Sequence, residues 1–331
     1  MKHFIIIFVA ISTLIYAEDY SIGHGLQINQ NLNIGGYFST QYEKSDILEQ
    51  YMFDDIALLA YGGLSDKLSY LIEMEAKHFA VRDIKNSNTS YNTKFHIERA
   101  YLDYKYSEHL SFKVGKFITP IGEWNLNQIN VLRDTTSSPL YGEEIFPKFT
   151  TGMMLYGHLW FDDTLKYSLF LQKSKDFDKN YNNIETDNYY GMQIKKHFDD
   201  IVVGLNIGQF EYEDIDEMTL YYGASFKYEK DDIQILSEYS MSKYEYGFGT
   251  DKGKVHDKYA YYIQGRYRLN RGHYLIGRYE GLEDKNIARK ENISIIGYNY
   301  RPIYPISIKG EYQFNSDDTK SKFMLSVSML F

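Results

Sequence analysis

The 331-residue sequence contains no cysteine. Disulfide staples, thiolate metal sites and a cysteine nucleophile are thereby excluded. A chain without thiols also meets no pairing hazard in an oxidising compartment. Proline is scarce, 5 residues in all, which leaves room for long uninterrupted strands. After residue 17 no long apolar run occurs, so no transmembrane helix is expected. Basic patches of the kind that bind nucleic acid are absent as well. The nine histidines are scattered, with no pair at zinc-ligand spacing beside a catalytic glutamate. No serine-centred motif stands out. The chain is therefore expected to be no enzyme and to need no cofactor or metal.

Aromatic residues are plentiful instead: 34 Tyr and 20 Phe dominate an aromatic share of 17 %. Such residues suit a pleated, half-buried surface. Tyrosine also suits the boundary of water and lipid, where one end is apolar and the other wet. The N-terminus reads as a signal peptide. Lys2 and His3 form a basic start, Phe4 to Ile15 an apolar stretch, and Ala17 a small residue before Glu18 and Asp19. The stretch is too short for a comfortable membrane span. Residues 1–17 are expected to leave, and 18–331 to form one domain. The leader holds one Lys and no acid, so 314 residues remain with 35 Lys and Arg against 45 Asp and Glu, net −10.

That domain has a repeated rhythm. Segments of about ten residues alternate apolar and polar, the length of a tilted strand crossing a membrane. Sixteen are expected: 32–42, 52–63, 67–80, 94–106, 109–122, 150–161, 165–174, 187–198, 201–212, 217–229, 233–246, 258–269, 273–282, 291–302, 306–315 and 320–331. Short turns and mostly longer loops alternate between them, as in barrels with short periplasmic and long external connections. Leu68, Tyr70, Ile72, Met74 and Ala76 share one face, and Ser69, Glu73, Glu75 and Lys77 the other. Likewise Tyr259, Tyr261, Ile263, Tyr267 and Leu269 oppose Gln264, Arg266 and Arg268. A helix would scatter these charges around its axis. A soluble β-sandwich seldom has so many strands this long. The expected fold class is all-β, a transmembrane antiparallel β-barrel of about sixteen strands. Tyr61, Tyr101, Tyr104, Tyr106, Tyr228, Tyr239, Tyr259, Tyr298 and Tyr300 fall near strand ends, as interfacial girdles would place them.

In the last segment Phe323, Leu325, Val327, Met329 and Phe331 point one way, and Met324, Ser326, Ser328 and Leu330 the other. This pattern, ending on Phe331, resembles the C-terminal recognition strand of bacterial outer-membrane proteins. The resemblance implies the barrel-assembly machinery as a partner, with outer-membrane lipid and lipopolysaccharide around the barrel.

The third loop, 123–149, is the longest and carries Glu123, Arg133, Asp134, Glu143, Glu144 and Lys148, with Trp124, Pro139 and Pro147 to stiffen it. A loop this long without its own structure is usually functional or disordered. Folded inward, it would narrow an aqueous channel, so Arg133, Asp134, Glu143, Glu144 and Lys148 are expected at a constriction. By phase, the lumen receives Glu73, Glu75, Lys77, Lys113, Arg266, Arg268, Arg278, Glu280, Lys309 and Glu311. Lys113, Arg266, Arg268, Arg278 and Lys309 are the expected pore-lining cations, since charged walls set ion preference. For any single one, pairing across strands is the plainer role. Glu211, Glu213, Asp214, Asp216 and Glu217 read as a solvated loop, the other reading being a divalent ion that bridges lipopolysaccharide. Gly247-Phe248-Gly249 through Gly253 reads as a flexible tip, since no helix follows.

Three motifs carry a family resemblance: Glu98-Arg99-Ala100-Tyr101-Leu102-Asp103-Tyr104, then Phe112-Lys113-Val114-Gly115-Lys116-Phe117-Ile118-Thr119-Pro120-Ile121-Gly122, then Gly152-Met153-Met154-Leu155-Tyr156-Gly157. Together they resemble the phosphate-selective porin O and P family over about sixty residues. The resemblance implies a sixteen-stranded homotrimeric porin that takes up anions along an arginine ladder to a lysine-bearing constriction. The third loop departs from this, with Arg133 and Lys148 as its only cations against four acids. The expectation is a porin passing small hydrophilic solutes and ions by passive diffusion. The alternatives are a selective channel for a small anion, and a non-conducting barrel serving adhesion or lipid modification.

Overall fold

The computed structural model describes residues 20–21, 23–176, 178, 184–212, 218–245, 255–285 and 287–331. The expected leader, most of the acidic run (213–217) and the glycine-rich tip (247–253) lie outside these residues.

Sixteen long strands follow one another. They are β1 (Leu32–Ser45), β2 (Glu49–Gly63), β3 (Leu68–Asp83), β4 (His96–Lys105), β5 (Ser111–Ile118), β6 (Phe149–Leu159), β7 (Asp162–Gln172) and β8 (Thr186–Phe198). The second half comprises β9 (Ile201–Tyr212), β10 (Met218–Lys230), β11 (Ile233–Glu245), β12 (Val255–Asn270), β13 (His273–Asp284), β14 (Arg289–Tyr300), β15 (Ile306–Asn315) and β16 (Lys322–Leu330). Each pairs antiparallel with the next. β16 then pairs with β1, from Lys322↔Ser45 to Leu330↔Tyr37, and closes the barrel. Closure leaves no unpaired edge, which a backbone in lipid could not tolerate. Three short strands are added: Tyr20–Ser21 and Gly25–Asn29 beside the start of β1, and Asn88–Tyr91 folded back on β3. No helix among the described residues is long and apolar enough to cross a membrane.

Alternation sets the two faces. On β16, Leu325 and Val327 are exposed, while Ser326 and Ser328 are buried. Ile263 and Ile296 are exposed outside, while Gln264 and Asn299 are buried inside. The exposed face is apolar, so the exterior suits lipid rather than water. Turns use residues that tolerate a left-handed backbone: Asp231 (φ 51°) between β10 and β11, and Gly272 (φ 81°) between β12 and β13.

Two expectations need correction. β5 stops at Ile118 rather than reaching 122, because Pro120 has no N–H to give to a ladder. The third loop therefore spans 119–148. Tyr61 and Tyr101 are not girdle residues but share the inner phase with Glu73, through the partners Tyr61↔Leu71 and Leu71↔Tyr101. The ammonium of Lys113 lies 4.3 Å from the Tyr101 ring. Regular phase also breaks where β2 and β3 meet, between Phe53 and Asp55, opposite His78 at φ 50°. Such bulges re-aim side chains, and here Asp54 Oδ1 meets His78 Nε2 at 3.3 Å.

Candidate functional site

The third loop enters the barrel because its sequence is too apolar to stay in water. Ile121, Trp124, Val131, Tyr141, Ile145 and Phe146 are all buried. Each such side chain contributes about 1.5–3 kcal/mol on burial. All but Val131 pack in one cluster with aromatic residues that interrupt the polar inner face: Phe170, Tyr189, Phe210, Tyr221 and Tyr262. Trp124 and Tyr141 meet the Tyr262 ring edge-on at 6.1 and 5.9 Å, and Phe146 lies 6.0 Å from Tyr221. Gly122 makes the entry turn at φ 61°, where a Cβ would stand 2.3 Å from Glu238 Oε2. A short 3-10 turn (Asn130–Leu132) and one helical turn (Tyr141–Glu144) are its regular pieces.

Most of the loop backbone finds no regular ladder, so its polar groups need other partners. Side chains of the wall supply them. Glu238 of β11 accepts from the backbone N–H of Glu123 (2.5 Å) and of Trp124 (2.8 Å). Glu280 of β13 accepts from Leu140 N–H at 3.0 Å. Glu311 of β15 accepts from the N–H groups of Thr136 and Ser137 at 2.8 and 3.2 Å. Cations serve the carbonyls. Lys309 donates to Asn130 Oδ1 (2.6 Å) and to the Thr135 carbonyl (3.2 Å). Arg278 donates to Thr135 Oγ1, Ser137 Oγ and the Ser137 carbonyl at 2.8, 2.7 and 3.1 Å. Arg301 donates to the carbonyls of Leu132 and Arg133.

These contacts place the expected site residues. Arg278 and Lys309 face inward, buried in the seam between loop and wall. Arg266 is also inward, bridging Asp134 of the loop (3.1 Å) and Glu229 (3.0 Å). Arg268 lies at the rim, half exposed and paired with Asp232 at 2.7 Å. The three arginines therefore do not form one patch. Lys113 is paired with Asp103 at 3.2 Å. Nor do the five loop charges form one ring. Arg133 is folded onto its own loop, donating to Asn127 O, Gln128 Oε1 and Ser138 Oγ, 5.6 Å from the Trp124 ring. Asp134 is tied to β12, and Glu144 to Lys258 and Arg289 at 3.0 and 2.7 Å. Glu143 and Lys148 pair with each other at 2.8 Å. Burial raises the Glu143 carboxyl, and the Lys148 ammonium more than offsets this, holding it below its ordinary value of 4.5. Burial pulls Lys148 below the usual lysine range, with Glu143 opposing. Phe331 completes the β16–β1 ladder through two 2.8 Å bonds with Gly36, its ring 6.4 Å from that of Phe38.

The opposite wall holds residues that the sequence reading missed or left unpartnered. Glu73 is paired with Arg99, and Glu75 with Tyr37 Oη (3.0 Å) and Lys77 (3.5 Å). Asp55 accepts from Ser39 Oγ at 3.0 Å. Asp54, Asp55 and Glu98 here, and Glu238 on β11, carried no signal, since bulge positions and lone acids cannot be assigned from phase alone. The inward aromatics had one: Phe170, Tyr189, Phe210, Tyr221 and Tyr262 stand in the phase where polar residues belong. Among the described residues no group of three or more His, Asp or Glu can hold a metal.

The sequence matches no protein-family model, and no curated sequence resembles it significantly. Solved structures do match. The anion-selective porin from Comamonas acidovorans aligns over 91 % of this chain and 99 % of its own, with TM-score 0.65 and 11 % identity. OmpF of Salmonella typhi, solved with daunomycin, aligns over 91 % and 98 %, with TM-score 0.65 and 14 % identity. OmpT, an outer-membrane protein of Vibrio cholerae, in an in-vitro folded trimer form, aligns over 91 % and 99 %, with TM-score 0.58 and 13 % identity. At such identities the likeness establishes the fold. This chain has the fold of these outer-membrane proteins, a closed antiparallel β-barrel of sixteen strands with an apolar exterior.

Proposed function

We propose that this barrel is a passive outer-membrane channel for small hydrophilic solutes and ions, narrowed by its third loop and performing no catalysis. One observation carries the reading: residues 121–146 lie inside a closed barrel, held there by side chains of β11, β13 and β15. A loop that crosses a water-filled barrel sets its smallest cross-section. Arg133, Glu143 and Lys148 of the loop, with Lys77 of the wall, are the charges we place at that constriction. The likeness to a trimer form of OmpT supports a homotrimer. Phe331 and its ladder to β1 fit an assembly signal. Removal of 1–17 completes the mature chain in this reading.

The finer assignment, to the phosphate-selective porin O and P family, rests on the motifs within 98–157. It calls for an open ladder of cations, whereas Arg266, Arg278 and Lys309 are engaged with the loop. We therefore favour the general channel over the anion-selective one. Planar-bilayer recording tests both. The expected result is a stable open-channel current that rises when 130–145 are deleted. An unchanged conductance would remove the loop from the constriction. Absence of any current would sink the channel itself, and a reversal potential showing strong anion preference would favour the family assignment.

A further inference from the structure

We propose that the outer wall carries a binding groove for an anionic, phosphate-bearing lipid, with Arg82 as the headgroup ligand. The inference rests on the barrel's place in the outer membrane and not on whether the pore conducts. The groove has a volume of about 920 Å³. Its walls are the outward side chains Tyr42, Tyr51, Phe53, Phe79, Leu325 and Val327, from β1, β2, β3 and β16. A wall of regular strands is convex and offers lipid no such hollow. Here β3 pairs with β4 only from Leu68 to Glu75, and its outer end pairs instead with the short strand at Asn88–Tyr91. That hairpin stands off the barrel, and Thr89 and Tyr91 overhang the hollow. The floor is largely aromatic, with Tyr42 and Tyr51 rings 4.7 Å apart and Phe53 against Phe79 at 5.9 Å.

The end of the groove nearest the long loops is cationic. Arg82 is exposed, and its guanidinium is held by neutral acceptors, the Ser87 carbonyl at 2.9 Å and Thr89 Oγ1 at 3.0 Å. Among the described residues it has no carboxylate partner. Glu49, the acid on this outer face, is paired with Lys44 at 3.4 Å and bonded by Tyr42 Oη at 2.8 Å. Lys85 donates to the backbone carbonyls of Ser45 and Asp46. A fixed guanidinium fork with an uncompensated charge recognises phosphate. An apolar hollow beneath it takes hydrocarbon. One molecule that satisfies both is a lipid with a phosphate headgroup, the acyl chains lying on the aromatic floor. A water-soluble anion would leave the floor unused.

The test uses the folded full chain in detergent, offered phosphatidic acid and phosphatidylcholine of identical acyl chains, with retained lipid counted by native mass spectrometry. Phosphatidic acid is expected to be retained in preference. Arg82→Gln should lower its retention roughly fivefold, the worth of one cation near an anionic lipid surface, and lower that of phosphatidylcholine, whose phosphate is offset by its own choline, by less. Ala80→Trp should fill the hollow and abolish retention of both. Arg82 is exposed, so its variant keeps the test open should Ala80→Trp fail to give the heat-resistant folded band. Equal retention of the two lipids, or indifference to Arg82→Gln, would overturn the proposal. So would exclusion of both lipids by a second copy seated on the groove, seen as an oligomer that Ala80→Trp disperses.

Discussion

On β2–β4 the inward carboxylates bond to other side chains of the wall: Glu73 to Arg99, Glu75 to Tyr37 and Lys77, Asp55 to Ser39. On β11–β15 Glu238, Glu280 and Glu311 bond to the backbone of the third loop, and so do Arg278 and Lys309. Both halves are walls of alternating strands with charges of both signs facing in. What differs is the partner. In the first half a charge answers a neighbour on its own strand or no more than two strands away, so the pairing is local. In the second half it answers peptide groups from a loop more than a hundred residues away in sequence. The same residue types thus stiffen a wall in one place and seat a loop in the other.

Substitutions can break this contrast. Lys309→Ala leaves the carbonyls of Asn130 and Thr135 and the Asn130 amide oxygen without their buried donor. It should loosen the loop's seat by about 3 kcal/mol and produce larger, noisier single-channel currents. A trace identical to wild type would mean that β15 does not hold the loop. Glu73→Gln removes the carboxylate opposite Arg99 and should cost about 2 kcal/mol of barrel stability in chemical unfolding. It should leave the current noise unchanged, because no loop group bonds to Glu73. If the noise rises instead, the two halves are coupled.

Acid sharpens the comparison at the loop itself. Glu143 titrates below its ordinary value, so its pairing with Lys148 stabilises the seated loop above that value. The contribution is lost as pH falls through the depressed one. Current noise in the wild type should therefore begin only below pH 4.5, whereas Glu143→Gln should show it at neutral pH. Matching acid profiles for the two proteins would remove the pair from the account. The smallest effect is expected at Arg268→Ala, where both partners are half exposed. No measurable stability should be lost, since solvent screens the pair, and conductance should be unchanged. A marked change in ion preference would return Arg268 to the pore.

Much of the fold was legible in the chain. The sixteen expected segments correspond to the sixteen barrel strands, most ending within a few residues, because a period of two in a lipid-facing strand leaves little freedom of register. The phase of β16 placed Leu325 and Val327 outside and Ser326 and Ser328 inside, as found. The site was legible in part. Inward direction was readable for Arg266, Arg278, Glu280, Lys309 and Glu311. Their partners were not, since phase says which way a side chain points and nothing about what comes to meet it. Ala76 shows a smaller limit: it stands in the outer phase yet is fully buried.

By itself the sequence determined a barrel: strand count, faces and the long third connection. These follow from short-range periodicity, which solvent and lipid read residue by residue. Only the tertiary structure decided that Asp54 and His78 meet at the bulge between β2 and β3. It alone decided that the basic residues of β13 and β15 bind loop peptides rather than an open lumen, and that β3 leaves a hollow beside Arg82. Those outcomes depend on where distant segments come to rest. Satisfying buried backbone groups, rather than local pattern, selects among the resting places.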